Sequence, residues 1–186
     1  MAHWASYIGF GFEKEECYTL LKYMKNLLKE YEDKIAWHNP EYMHMTLQFL
    51  GWTKDSDVLK LKNILQKEKI NNINLKLNGE LILLGFESKK EYIAMKIETT
   101  NELKRYRETL GIKMKEQGIP FKEQEFLSHI SLGRINGLES IENKKYFETI
   151  TINPNGVYIY ESIPESNILA GVKSKDLLIK NNDMER

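Results

Sequence analysis

Apolar positions recur along this chain at two periods, close to two and close to 3.6, and the switches between them mark out the elements. The stretch "WASYIGFGF" (4–12) is aromatic and partly alternating, which predicts a strand. In "EKEECYTLLKYMKNLLKEYEDK" (13–34), Tyr18, Leu21, Met24, Leu28 and Tyr31 fall at helical spacing behind an acidic first turn, a charge that suits a helix N-terminus. A strand is predicted over 43–50, just after Pro40, and a second helix over 55–68 from Val58, Leu61, Ile64 and Leu65, with Asp55 or Ser56 as its cap. The segment "INLKLNGELILLGF" (73–86) reads as two strand pieces around an Asn78-Gly79 turn. A strand over 91–97 follows, then a helix over 101–117 with Leu103, Tyr106, Leu110 and Met114 as its stripe and Gly118 as its stop. Further strands are predicted over 127–135, 156–162 and 168–179, the last two separated by Pro164, with a short helix around 140–148.

The pattern repeats. Tyr7-Ile8 in the first strand and Tyr92-Ile93 in a later one are separated by 92 − 7 = 85 residues, and His44 and His129 by 129 − 44 = 85. At the same offset Thr46 falls on Ser131 and Leu47 on Leu132, and the first and third helices roughly superpose. The chain therefore reads as one bilobal domain over 1–186, with strand–helix–strand halves at roughly 4–52 and 91–137, each delivering one His-x-Thr/Ser. The expected fold class is α/β (α+β): two pseudo-symmetric lobes of strands with helices.

Residues two apart in a strand point to one face, so His44 and Thr46 share a face opposite Met45 and Leu47, and His129 and Ser131 share one opposite Ile130 and Leu132. The apolar partners anchor each strand in its core. If the halves pack about a pseudo-twofold axis, the polar pairs face each other across one cleft. Two imidazoles and two hydroxyls form a metal-free kit for cleaving a phosphodiester. Histidine titrates near neutrality, so one ring can take a proton while the other gives one, each transfer being worth ~10²–10⁴ in rate. The hydroxyls can hydrogen-bond the non-bridging phosphate oxygens, where charge builds. No HxH, HExxH or CxxC is present, and no metal or cofactor is expected. His3 and His38 read as surface or packing residues. Trp37, Tyr42 and Trp52 flank the first motif and offer faces on which a base can stack.

Composition narrows the partner. The 186 residues are 41% hydrophobic and 29% charged, in the range of globular chains, and Lys+Arg and Asp+Glu are both 27. Zero formal charge argues against tight binding of long nucleic acid and leaves room for a small nucleotide or an RNA terminus. Cys17 is the single cysteine, which excludes an internal disulfide and suits a reducing, cytoplasmic setting. The N-terminus does not read as a signal peptide and no apolar run reaches membrane-spanning length, so no membrane partner is expected. A monomer is expected.

The pair "HMTLQFLG" and "HISLGR" resembles the signature of the 2H phosphoesterase superfamily, and in particular the LigT-like RNA 2′,3′-cyclic phosphodiesterases, also called 2′-5′ RNA ligases. "YIGFGF", "GELILLGF" and "VYIYES" match that family's opening, central and late strands. The resemblance implies antiparallel strands with outer helices, a catalytic pair His44 and His129, phosphate binding by Thr46 and Ser131, and phosphate contact by Arg134. Strict alternation would turn Arg134 away from the cleft, but Gly133 can host a bulge that re-aims it. The repeat sets Phe49 at the position equivalent to Arg134, which suggests a base pocket there. The implied activity is metal-independent cleavage of a 2′-linked phosphodiester in RNA ends or small nucleotides. The alternatives are degradation of cyclic or 2′-5′-linked oligonucleotide second messengers and, from another class, a non-catalytic nucleotide sensor. The near-symmetry leaves open which histidine is acid and which is base.

Overall fold

A computed structural model describes residues 2–68, 73–86, 89–138, 140–141, 148–161 and 167–173. The helix expected around 140–148 falls largely outside them, as do Pro164 and the far end of the strand expected over 168–179. The elements run β1 (Ala2–Gly11), α1 (Lys14–Leu27), β2 (Ile35–Trp37), β3 (His44–Lys54), α2 (Asp55–Lys67), β4 (Leu75–Phe86), β5 (Lys89–Ile97), α3 (Asn101–Glu116), β6 (His129–Ile135), β7 (Ile150–Ile152), β8 (Gly156–Glu161) and β9 (Asn167–Lys173), with 3₁₀ turns at Lys29–Lys34 and Pro40–Tyr42.

The strands form one antiparallel sheet in the order β7-β4-β5-β6-β3-β1-β8-β9, with β2 on β6. The order is a palindrome about the β6–β3 junction, since β5 answers β1, β4 answers β8 and β7 answers β9. At that junction Met45 pairs with Ile130, and these two residues are themselves 130 − 45 = 85 apart. The pseudo-axis thus passes between the two motifs, and an antiparallel register through this pair sets His44 toward Ser131 and Thr46 toward His129.

The halves share one register. In β1–β3, Tyr7, Ile8, Gly9, Phe10 and Gly11 pair with Phe49, Gln48, Thr46, Met45 and His44. In β5–β6, Tyr92, Ile93, Ala94, Met95 and Lys96 pair with Arg134, Gly133, Ser131, Ile130 and His129, the same partners shifted by 85. Each ladder skips one residue at the same place, Leu47 or Leu132, so both strands carry a bulge directly after the motif hydroxyl. The bulged carbonyls find donors outside the ladder: Leu132 O accepts from His38 N–H at 2.8 Å and Leu47 O from Arg107 Nε at 3.0 Å.

One face of the sheet is apolar. Ile8, Phe10, Met45, Leu47, Ile93, Met95, Ile130 and Leu132 join the buried sides of the helices (Leu21 and Met24 from α1, Leu61 and Leu65 from α2, Leu103 and Met114 from α3) in one core. Two sequence expectations are corrected here. The Asn78-Gly79 turn does not form: β4 runs straight through, and Gly79, at φ 86°, sits inside an irregular stretch of register against β5. α2 starts at Asp55 as expected, but its N-cap is Lys54 and not Asp55 or Ser56: Lys54 gives no side-chain hydrogen bond, while Asp55 and Asp57 lie in the first turn. β2 and β7, three residues each, were too short to show a period.

Candidate active site

The opposite, polar face holds a cleft of about 700 Å³ at the β6–β3 junction. His44, Thr46, Phe49, His129, Ser131 and Arg134 all line it, so the structure brings every site residue expected from the sequence into one place. The bulges explain the last pair. Without the extra residue at Leu132, alternation would carry Arg134 to the core face; with it, Arg134 returns to the cleft side, exposed, with its guanidinium 5.6 Å from the Tyr92 ring centroid. Phe49 is returned in the same way and stands 6.0 Å from Tyr7, centroid to centroid.

The two histidines are held alike. His44 Nδ1–H donates to Tyr42 O at 2.8 Å and His129 Nδ1–H donates to Leu127 O at 2.7 Å, in each case to the carbonyl two residues back. This fixes both tautomers and leaves both Nε2 atoms for a substrate. Their surroundings differ. The His44 ring packs against Tyr7 at 4.7 Å and Tyr160 at 5.2 Å, with the Tyr7 hydroxyl 3.4 Å from its Nδ1. Burial pushes its pKa down to about 4, opposed by the Tyr42 carbonyl and assisted by charge on His129 and His38. Burial also lowers His129, against the pull of the Leu127 carbonyl.

The tyrosine packing depends on bare backbone. A Cβ on Gly9 would lie 2.8 Å from Met45 O, and one on Gly11 would lie 2.6 Å from the Tyr158 ring. Tyr7 and Tyr160 stack at 5.0 Å beside His44. Trp37 and Tyr42 also line the cleft, whereas Trp52, though 54% exposed, does not.

His38 adds to the sequence reading. Read from the sequence as a surface or packing residue, it is half-buried and lines the cleft, just after the β2–β6 pairing, with its ring 6.2 Å from that of Tyr92. Its partner at +85 is Glu123, so the repeat gave no signal for it. Tyr7 and Tyr92 are cleft residues too, and their appearance in the repeat was the available signal. The side chain of His3 lies outside the described residues. Among the described residues, no carboxylate lines the cleft, no group of three His, Cys, Asp or Glu is placed to hold a metal ion, and no helix is long and apolar enough to cross a membrane.

No protein-family model matches the chain, and no curated protein matches it in sequence. Its structure does match solved structures. Escherichia coli LigT complexed with 3′-AMP superposes with a TM-score of 0.68 at 13% identity, covering 92% of this chain and 98% of that one. TT0787 of Thermus thermophilus superposes at 0.65 with 16% identity, over 92% and 98%. The MHV ns2 PDE domain does so at 0.57 with 10% identity, over 85% and 98%. The chain has the LigT-like 2H phosphoesterase fold.

Proposed function

We propose that this chain is a metal-independent phosphodiesterase acting at a ribose 2′ position, on a 2′,3′-cyclic phosphate or a 2′-5′ linkage, with His44 as general base and His129 as general acid. The observation that carries the reading is the matched pair of imidazoles, each pinned through Nδ1–H with Nε2 free in one cleft, beside the hydroxyls of Thr46 and Ser131. In opening a cyclic phosphate, His44 Nε2 takes a proton from water, the water oxygen bonds to phosphorus, and the P–O bond to one ribose oxygen breaks. That oxygen receives its proton from His129 Nε2. In a 2′-5′ linkage the neighbouring 3′-hydroxyl takes the place of water. The asymmetry of the pair supports the roles: His44, the ring pushed lower, is kept neutral for the base, and His129 is left as the acid. Thr46, Ser131 and Arg134 stabilise the charge on the non-bridging oxygens, while Phe49 offers a face to the base. The likeness to LigT, a protein seen with 3′-AMP, ATP and NADP+, supports a nucleotide-sized ligand.

The test is a panel of 2′,3′-cyclic mononucleotides, 2′-5′ dinucleotides and cyclic dinucleotides, run in EDTA. The wild type should turn over at least one, with kcat lowered ~10²–10⁴-fold in His44→Ala and in His129→Ala. Phe49→Leu should raise KM and spare kcat. Wild-type rates in both histidine variants would remove the catalytic assignment, loss of turnover on adding EDTA would remove the metal-free mechanism, and an unchanged KM in Phe49→Leu would remove its base-binding role.

A further inference from the structure

The proposed reaction uses two imidazoles, and the cleft holds three. His38 is carried there by β2, whose Ala36 and Trp37 pair with Arg134 and Gly133 on β6. Its own backbone N–H is tied to the bulged carbonyl of Leu132. Its ring lines the cleft together with Ser131 and Arg134. The imidazole and the guanidinium are both neighbours of one ring, that of Tyr92, at 6.2 Å and 5.6 Å from its centroid. This arrangement is one-sided. The residue equivalent to His38 in the other half, Glu123, is exposed and paired with Lys115, and the residue equivalent to Arg134 is Phe49.

The charge count gives the arrangement its meaning. A phosphodiester between two nucleosides carries one negative charge, which Arg134 alone matches. Among the described residues no carboxylate lines the cleft to balance a further cation. We propose that His38 holds a second phosphate of the substrate, beside the phosphate that Arg134 and the motif hydroxyls hold, so that the chain prefers a phosphodiester flanked by another phosphate over one that stands alone. This rests on the phosphodiesterase reading above and names its substrate class. The groups facing His38 are Arg134 and the Ser131 carbonyl on β6, the Tyr92 phenol on β5 and His44 on β3. Burial and then Arg134 hold its pKa below the usual value, so it gains its proton when a second anion arrives. The benefit is therefore greatest on the acid side of neutrality.

The test compares KM for the 2′-5′ dinucleotide of adenosine bearing no further phosphate, a 5′-phosphate or a 3′-phosphate. At about pH 6, the wild type should show a KM roughly tenfold lower for one phosphorylated form, the size of one charge-assisted hydrogen bond. His38→Gln, or His38→Asn if that variant fails to fold, should lose most of this advantage. Between about pH 6 and pH 8.5 the wild-type advantage should fall relative to that of the variant; the ionisation of the terminal phosphate is common to both proteins and cancels. A merely structural His38 would not move that ratio. Equal KM values for all three ligands in the wild type, or an unchanged ratio and pH dependence in the variant, overturn the subsite. If the wild type cleaves none of them, its turnover of 2′,3′-cyclic mononucleotides decides the catalytic reading, and Kd values for the same three ligands decide the subsite: a tighter phosphorylated form, weakened by His38→Gln, supports it and equal values overturn it.

Discussion

His44 and His129 sit at equivalent places in equivalent strands, each bonded to a carbonyl two residues back, yet only His44 is enclosed by stacked tyrosines. Similar local sequence thus places two imidazoles in different surroundings, and burial lowers the proton affinity of His44 the more strongly. The sign of the pH dependence follows. A base must be deprotonated, so His44 is competent above about pH 4. An acid must be protonated, so His129 is competent below its own pKa, which burial places under the usual histidine value of about 6.5. The product is a bell for kcat/KM centred on the acid side of neutrality. A pH–rate profile measures it directly, and an optimum above pH 7 would contradict the assigned roles. The motif histidines were legible because each came with a hydroxyl at +2 and an echo at +85. His38 has neither, and what brings it into the cleft is a pairing between β2 and β6 that no local pattern announces.

At the scale of elements, the paired bulges matter more than the strands themselves. They let one ladder present a histidine and hydroxyl and then, one residue out of phase, a third side chain on the same face. The sequence revealed the strands through their alternation and suggested a bulge at Gly133. It misjudged Asn78-Gly79, where turn chemistry was overridden by the ladder that β4 makes with β5 and by the burial of Leu75, Leu77 and Leu81. Gly133 also lets β2 approach: a Cβ there would lie 2.6 Å from Ala36 O and 3.0 Å from Trp37 Cα, both backbone atoms. Gly133→Ala should therefore push β2 off β6, at a cost of about 2 kcal/mol and roughly 5 °C in Tm. It should also lower kcat/KM, by moving His38 and Trp37. Gly111→Ala is the control: it lies in α3, where a Cβ would meet nothing closer than 3.7 Å, and it should be neutral or stabilise by about 0.5–1 kcal/mol. Equal melting temperatures for the two variants would show that β2 is not held by this close approach.

The whole molecule is palindromic in its sheet but not in its chain. The lobe containing His44 is built from β1 and β3, near the N-terminus, and completed by β8 and β9, which arrive after the other lobe has been made. β8 pairs along β1 from Ser6 to Gly11, contributes Val157 and Ile159 to the core and lays Tyr160 against His44. Burying each such side chain is worth ~1.5–3 kcal/mol, so the four from Val157 to Tyr160 contribute an amount comparable to the ~5–15 kcal/mol net stability of a typical domain. A chain ending at residue 153 should then lose its cooperative thermal transition, even though both His-x-Thr/Ser motifs and the whole β3–β6 junction remain in its sequence. Circular dichroism during heating reads this out. A retained sharp transition would mean that the β4–β7 lobe folds without its partner, and that the two halves cooperate only in forming the cleft. The expected loss would instead show that the site depends on long-range closure of the sheet, with its two halves stable only as one body.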